Sequence, residues 1–368
     1  MYKNTLSHES MHIDANIDTA STLPSSFYTS PAWFERTKEN IFTKTWQFCL
    51  STEELRLEGQ LVPFTLLPGI LDEPLLFVRN IDNTLHCISN VCTHRGNILV
   101  DAPCSAQQIR CRYHGRRFKL CGEFIHMPEF AQAKDFPSAR DNLPKIPSAQ
   151  LGDFIFAAIA PSATFQETFG EIKKRLSWFP FAELRFDPLR SRDYLVKSHW
   201  ALYCENYLEG LHIPFVHKSL RSVLDFNAYT TEIYRYASLQ LALAANGEIG
   251  FNLPRTSPDY GKHVAAYYYW IFPNLMLNFY PWGCSVNVVK PLGLELTKVS
   301  FLTYILDETK INQGAGAELD KVEREDESVV ESVQKGIRSR FYTSGRYSPS
   351  MEQGIHHFHQ LLCEFLGD

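Results

Sequence analysis

The chain has 368 residues, of which 45% are hydrophobic and 21% charged, a composition typical of globular proteins with two or three domains. Its formal net charge is −5, so neither nucleic acid nor an anionic membrane surface is an expected partner. It contains no run of 18 apolar residues, and its polar start lacks the apolar part of a signal peptide, so we expect a cytoplasmic protein without membrane spans. Nine cysteines in such a chain favour metal ligands and free thiols over a disulfide framework.

The first 150 residues predict a helix followed by a small β domain. Residues 1–23 predict a loose arm, and residues 31–45 an amphipathic helix with apolar side chains along one stripe. From about residue 61 to 151, short apolar runs alternate with turns, and residues 80–83 predict a hairpin. Residues 132–149, with three prolines, predict a linker leading out of this domain.

The second half of the chain predicts long strands around a helical stretch at 201–217. A helix is expected before them, over 165–179, and a strong amphipathic helix after them, over 320–340. The predicted strands are 229–243, 264–272, 284–290 and 296–306. Consecutive strands of this kind predict one curved antiparallel sheet covered by helices, and an α+β fold class. The predicted domains are 1–43 (an arm and helix packing on the last domain), 44–155 (the small β domain) and 156–368 (the sheet domain).

Two cysteine–histidine pairs lie inside the β region. Cys92 is followed by His94, and Cys111 by His114, with 16 residues between the pairs. Zinc sites usually pair cysteine with cysteine, whereas here each loop supplies one cysteine and one histidine. This arrangement suits a [2Fe–2S] cluster in which one iron takes both thiolates and the other takes both imidazoles. A glycine follows soon after each histidine and lets both loops bend closely over such a cluster.

A second constellation lies in the helical stretch, where His212 and His217 are five residues apart and Glu209 precedes the first by three. On a continuous helix His217 would lie on another face, but Pro214 is expected to break the helix and let both imidazoles turn toward one point. Such convergence predicts a metal site that needs a carboxylate. A buried helix with two hydrogen-bonded histidines is the alternative.

The spacing of apolar residues in the closing helix indicates which acid could be this carboxylate. An apolar stripe is formed there by Val322, Val329, Val330, Val333 and Ile337. Asp326 falls on this stripe, whereas Glu323, Glu325 and Glu327 are predicted beside it or opposite. Because a buried carboxylate is costly unless it is paired or bound to a metal, Asp326 is the predicted third ligand. An Asp buried against an Arg is the alternative.

Together these motifs resemble the Rieske non-haem iron oxygenases, the large (alpha) subunits of ring-hydroxylating and demethylating enzymes, from about residue 27 onward. The resemblance implies a Rieske [2Fe–2S] cluster, a mononuclear Fe(II) on one face of His212, His217 and Asp326, O2 as co-substrate, and a helix-grip catalytic domain. It also implies a homotrimer, in which Glu209 carries electrons between the cluster of one subunit and the iron of the next. Asn206 is a further, weaker candidate for the site.

The resemblance leaves the substrate open. A quaternary ammonium compound such as choline, betaine or carnitine is favoured, and an aromatic-ring hydroxylating dioxygenase is the runner-up. Tyr203, Phe279 and Trp282 are candidates for the substrate pocket. A Rieske electron carrier without oxygenase activity is a remote alternative.

The electron donor is expected to be a separate protein. No Gly-rich nucleotide motif follows a strand, so a separate NAD(P)H-dependent reductase is expected to supply electrons, with or without a ferredoxin. The donor's docking face is predicted at a basic patch around the cluster loops, with one acid, Asp101, and six cations: Arg95, Arg110, Arg112, Arg116, Arg117 and Lys119.

Overall fold

A computed structural model describes residues 11–217, 230–317 and 319–367 of the chain. They form a mixed α+β protein with two compact units. One unit is Thr43–Phe165, and the other combines Met1–Phe42 with Gln166–Asp368. The two units change after Phe42 and after Phe165, whereas the predicted domain boundaries lie after residues 43 and 155. Every helix in the described part of the chain is too short or too polar to cross a bilayer.

The smaller unit consists of three antiparallel sheets with the strand orders β1-β10-β9, β4-β3-β2-β5 and β6-β7-β8. Their strands are β1 (Gln47–Ser51), β2 (Gln60–Leu66), β3 (Glu73–Arg79), β4 (Leu85–Ser89), β5 (Cys104–Ser105), β6 (Ile109–Arg110), β7 (Arg117–Phe118), β8 (Phe124–His126), β9 (Ser148–Leu151) and β10 (Phe154–Ala157). The predicted hairpin joins β3 to β4, with Arg79 opposite Leu85. The all-β character predicted for this region is confirmed.

The predicted linker over 132–149 is wrong, because this segment is part of the smaller unit. A short 3-10 helix, Ala139–Asp141, lies in it and is capped by Ser138. Leu143 is buried in the same hydrophobic cluster as Cys92 and Cys111. The prolines therefore shape a closing segment that packs against the cysteine loops.

The larger unit is organised by one seven-stranded antiparallel sheet of order β11-β17-β16-β15-β14-β13-β12. Its strands are β11 (Arg185–Val196), β12 (Thr230–Ile233), β13 (Ala237–Leu243), β14 (Val264–Ile271), β15 (Leu275–Tyr280), β16 (Gly283–Gly293) and β17 (Leu296–Ile305). All six residues of β15 are buried, so this central strand is covered on both faces. The antiparallel sheet was predicted, but β11 and β15 were missed. The strands β12 and β13 were predicted as one strand that began at residue 229, outside the described residues.

The α-helices among the described residues belong to the larger unit, apart from the first residue of α3. They are α1 (Ser25–Thr29), α2 (Pro31–Thr37), α3 (Phe165–Arg175), α4 (Trp200–Tyr207), α5 (Ile213–Val216), α6 (Leu319–Gly336) and α7 (Gln353–Leu366). The helix predicted over 31–45 is α2 continued by a π-helical turn, Lys38–Phe42. Helix α4 packs against α6 and β16, which brings the histidine-rich segment beside the closing helix.

The described part of the N-terminal arm is not loose. Ile13 and Leu23 are buried, and the amide of Thr22 donates to the carbonyl of Gly345. Residues 1–10 lie outside the described residues.

Candidate metal centres

The two cysteine–histidine loops have the same local geometry. The amide of Gly96 donates to the carbonyl of Cys92, and the amide of Gly115 to that of Cys111, each at 3.0 Å. Both glycines have positive φ, 70° and 74°, a conformation that a residue with a Cβ adopts at a cost. The two tight turns place the imidazole rings of His94 and His114 with their centroids 4.8 Å apart.

The chemistry of this donor set fits a [2Fe–2S] cluster with mixed ligation. Both sulfur atoms are buried, and Nδ1 of His94 is buried without a hydrogen-bond partner in the described part of the chain. Burial and the neighbouring His114 lower the pKa of His94, which keeps the imidazole in its neutral, metal-binding form. Two thiols and two imidazoles, with one buried nitrogen that only a ligand would satisfy, are what such a cluster requires.

Arg116 follows the second loop glycine and was predicted to belong to the basic docking patch. That prediction is wrong for this residue, because Arg116 is 2% exposed. Its guanidinium donates to Asp141 of the same chain at 2.7 Å and lies over the rings of Phe118, Phe124 and Phe136. Burial alone would raise the pKa of Asp141, but the hydrogen bonds from Arg116 and Ser138 lower it. The sequence could not reveal this, because the partner lies 25 residues away in the segment predicted as a linker.

The rest of the basic patch carries less unpaired positive charge than its composition suggests. Arg112 is paired with Asp101 at 2.6 Å, and Lys119 with Glu123 at 2.7 Å, all near the surface. The side chains of Arg95 and Arg110 are exposed. A positive surface beside His114 can therefore come from these two arginines, not from Arg116.

The second centre assembles at the end of α4. His212, His217 and Asp326 each offer one ligand atom, and the three atoms lie within 4.8 Å of one another. Nε2 of His217 is 3.0 Å and Nε2 of His212 is 3.5 Å from Oδ1 of Asp326. These separations suit three ligands around one ion, because metal–ligand distances are about 2.0–2.2 Å.

The break in the helix occurs earlier than predicted. Helix α4 ends at Tyr207, and α5 begins only at Ile213 with Pro214 in its first turn, a position that tolerates proline. Glu209 and His212 therefore meet across a turn and not along a helix face. The structure brings the two histidines together, and the turn that does so precedes Pro214.

Each histidine has its own carboxylate on the nitrogen that faces away from Asp326. Nδ1 of His212 lies 2.6 Å from Oε1 of Glu209, and Nδ1 of His217 lies 2.8 Å from Oε2 of Glu325. Because a carboxylate accepts, each Nδ1 carries the proton and each Nε2 is left to bind a metal. Asn206 donates to Oδ1 of Asp326 at 3.0 Å, so it lies in the site as predicted.

The electrostatics of the site favour a cation at the point where the ligands meet. Burial opposes the charged form of His217, but Asp326 and Glu325 outweigh it and raise its pKa. A divalent metal ion at this point would be stabilised by the same two carboxylates. Two imidazoles and one carboxylate on one side are typical of non-haem Fe(II), so the residues fit the iron that the resemblance implies.

The periodicity argument misplaced one acid and one valine of α6. Glu323 is 3% exposed and accepts a hydrogen bond from the hydroxyl of Tyr203, whereas Val333, assigned to the apolar stripe, is 41% exposed. Glu325 reaches His217 from beside Asp326. The buried face of α6 is polar where it meets the site, and a stripe drawn through valines could not show this. The need for one carboxylate per ligating histidine is the signal that would have pointed to Glu325.

A cavity of ≈ 120 Å³ lies against the metal ligands. It is lined by Tyr203, Asn206, Tyr207, Glu209, His212, Ile213, His217, Gln240, Tyr268, Asn278, Tyr280, Asn287, Phe301, Ala315, Leu319, Val322, Glu323 and Asp326. Tyr203 was predicted here. Phe279 and Trp282 were too, but they lie outside the lining. Since side chains alternate along β15, Asn278 and Tyr280 face the cavity while Phe279 packs against Phe179 on the other side. Trp282 stacks on Tyr280.

One chain thus carries one donor set that fits a Rieske cluster and another that fits a mononuclear non-haem iron. Residues 45–137 match the family model of the Rieske [2Fe-2S] domain, and residues 182–368 match that of the ring hydroxylating alpha subunit (catalytic domain). The chain belongs to the Rieske non-haem iron oxygenases, and it is an oxidoreductase with these two iron cofactors.

Similar proteins include a choline monooxygenase and the oxygenase subunit of a carnitine monooxygenase. The chain is 30% identical to the chloroplastic choline monooxygenase of Arabidopsis thaliana, over 94% of this chain and 83% of the relative. It is also 30% identical to the carnitine monooxygenase oxygenase subunit of Escherichia coli (strain K12), over 96% of each.

Solved structures support the fold. The quaternary ammonium Rieske monooxygenase CntA in complex with L-carnitine superposes with a TM-score of 0.74 at 24% identity, over 95% of this chain and 97% of that one. Naphthalene 1,2-dioxygenase from Rhodococcus sp. gives 0.70 at 16% identity, over 94% of each. Both confirm the predicted α+β architecture.

Proposed function

We propose that this chain is the terminal oxygenase that hydroxylates or demethylates a small quaternary ammonium compound of the choline, betaine or carnitine kind. The observation that carries the proposal is the cavity beside the three metal ligands. Its described lining contains five aromatic side chains and three acids, and no lysine or arginine. A site of this composition favours a cation.

The aromatic part of the lining suits a quaternary ammonium group. Such a group has no N–H to donate, so it is bound through charge and through the faces of aromatic rings. Tyr203, Tyr207, Tyr268, Tyr280 and Phe301 supply such rings. The volume of ≈ 120 Å³ is somewhat below the ~150 Å³ of a protein cavity that binds benzene, so the substrate is small.

The residues around the metal fix its position and leave one side free. His212, His217 and Asp326 would hold Fe(II), which supplies O2 activation when bound, with electrons from the [2Fe–2S] cluster. Three neighbouring side chains hold these ligands in position. Glu209 and Glu325 orient the imidazoles, and Asn206 orients the carboxylate of Asp326. The free side of the ligand set faces the cavity, which places the substrate beside it.

Glu209 is proposed as the bridge by which electrons arrive. It accepts hydrogen bonds from the backbone amides of Leu211 and His212 in addition to Nδ1 of His212, so its carboxylate is held firmly. The proposed donor to Glu209 is the cluster of a neighbouring subunit in a homotrimer. A solved quaternary ammonium Rieske monooxygenase of this fold is described as revealing inter-subunit electron transfer.

Oxygenase alpha subunits of this family work with reductase and ferredoxin partners. We propose that a separate NAD(P)H-dependent reductase reduces the cluster, directly or through a ferredoxin. The exposed ring of His114, with Arg95 and Arg110 exposed in the same two loops, is the proposed docking face. A cationic surface there would attract an acidic donor.

The aromatic-ring dioxygenase is the second candidate, and the fold shared with naphthalene 1,2-dioxygenase supports it. A single ring would fit the cavity by size. The buried carboxyl of Glu323 argues against it, because an arene offers that group neither a charge nor a hydrogen bond. The electron-carrier alternative fails, because the chain matches the catalytic domain of the family and carries the second ligand set.

The test is a substrate panel of quaternary amines and arenes with a surrogate reductase. Substrate-dependent O2 uptake is measured, together with formaldehyde, which is released by demethylation but not by hydroxylation elsewhere on the molecule. We expect coupled uptake with at least one quaternary amine and none with arenes, and Asp326→Ala sets the background. Uptake coupled to product from an arene, with no quaternary amine active, would refute the proposal.

A further inference from the structure

One acid in the cavity has no task in the iron site. Of the three acids in the described lining, Asp326 is a metal ligand and Glu209 is bonded to His212. Glu323 contacts neither histidine. Its Oε2 accepts from the hydroxyl of Tyr203, and its Oε1 is buried with no hydrogen-bond partner among the described residues.

Glu323 is also unusual in lacking a cation. Asp259, equally buried in the same unit, is paired with Arg175 at 2.8 Å and with Lys262 at 2.9 Å. No lysine, arginine or histidine of the described residues forms an ion pair with Glu323. Burial raises its pKa well above the ordinary value, the hydroxyl of Tyr203 opposes this shift, and the charge of Asp326 adds to it. The described residues therefore give Glu323 no positively charged partner, and a cationic ligand would supply one.

We propose that Glu323 selects a cationic substrate: its carboxylate faces the quaternary ammonium group, and the hydroxyl of Tyr203 holds it in place. This rests on the proposed function and assigns its charge selectivity to one residue. Tyr203 satisfies Oε2, so Oε1 remains for the ligand. A quaternary ammonium group suits this position because it needs no hydrogen bond and carries its charge on methyl groups that also pack on aromatic rings.

Affinity for a matched pair of ligands tests the proposal. Choline and 3,3-dimethylbutan-1-ol have the same shape, but the second has carbon in place of the charged nitrogen. Anaerobic calorimetry of the holoenzyme gives the affinity for each. Glu323→Gln keeps the size and the hydrogen bond to Tyr203 but removes the charge. Choline should then bind ~10- to 100-fold more weakly, as expected for loss of one partner of a buried charge pair. The neutral alcohol should change less than about threefold.

Two further variants separate charge from structure. Glu323→Asp keeps the charge and should recover part of the choline affinity. Glu327→Gln removes the same charge from the same helix at a position outside the described cavity lining, and it should leave both affinities unchanged. The visible spectrum of the cluster and the iron content confirm that each variant is folded.

The outcomes distinguish this inference from the proposed function. Equal losses for both ligands in Glu323→Gln, or no loss at all, would overturn the role of Glu323 while choline turnover by the wild type still stands. If the wild type binds choline no better than the neutral alcohol and oxidises only arenes, both proposals fail together.

Discussion

Replacing Glu325 should weaken the mononuclear iron site without removing a ligand. Its Oε2 lies 2.8 Å from Nδ1 of His217, and that bond keeps Nε2 directed at the point where the ligands converge. In Glu325→Ala the imidazole would lose its orientation and its preference for the correct tautomer. The cluster ligands are in the other unit and should be unaffected.

The expected magnitude follows from the exposure of the pair. Loss of such a partner typically lowers metal affinity by about 10- to 100-fold. His217 is 1% exposed but Glu325 is 31% exposed, so water screens part of the interaction. The remaining ligands, His212 and Asp326, are untouched. We therefore expect the lower end of the range, about tenfold, which corresponds to ~1.4 kcal/mol of iron binding. Glu325→Gln can still accept the hydrogen bond and should lose less.

The assay is an anaerobic competition for Fe(II) between the protein and a chromogenic chelator. Glu327→Ala is the matched control, since it removes a carboxylate from the same helix two residues away and outside the described cavity lining. If Glu325→Ala holds iron as tightly as Glu327→Ala, the bond to His217 does not stabilise the site and the reasoning is refuted.

Three other substitutions test the rest of the assignment. Asp326→Ala should lose the mononuclear iron while keeping the visible spectrum of the cluster and about two irons per chain; full iron and turnover would remove Asp326 from the site. Glu209→Gln should keep both centres, yet substrate and O2 should no longer reoxidise the reduced cluster quickly in a single turnover; wild-type rates would exclude it as the bridge. Arg116→Met should destabilise the cluster-bearing unit by ~3 kcal/mol, because it leaves Asp141 without its partner; unfolding monitored through cluster absorbance measures this, and an unchanged midpoint would contradict the pairing.

The cysteines and histidines of each candidate site lie close together in the sequence, so their proximity in the fold could be predicted, whereas Asp326 was chosen from the periodicity of a distant helix. Cys92 and His94 lie on one turn, as do Cys111 and His114, and the turn itself brings each pair together. His212 and His217 are likewise five residues apart with a break between them. The [2Fe–2S] cofactor and the mononuclear iron followed from donor chemistry and resemblance, and the family matches confirm both.

The groups that support those ligands could not be predicted, because their positions depend on tertiary packing. Arg116 was interpreted as a surface charge, because the residues next to it in the sequence indicate neither its burial nor its pairing with the distant Asp141. On α6, the apolar stripe suggested by the valines is buried only in part: the buried residues of this helix are Glu323, Val330 and Gln334. Helical periodicity locates a buried face only where that face is apolar, and here the face carries Glu323 and Asp326, which line the cavity.

The two histidine–carboxylate pairs differ in a way that fits a division of tasks. Glu325 approaches His217 from the partly exposed side of α6, and its partner is fully buried. Glu209 instead lies on a turn next to Leu211, which is 41% exposed, and two backbone amides fix its carboxylate. A carboxylate held by the backbone changes little when the charge of its neighbour changes, which suits a group through which electrons enter. Glu325 can serve iron binding alone, so its loss should lower occupancy. Glu209→Gln can still accept from Nδ1 of His212, so it should lower the transfer rate while the iron stays bound.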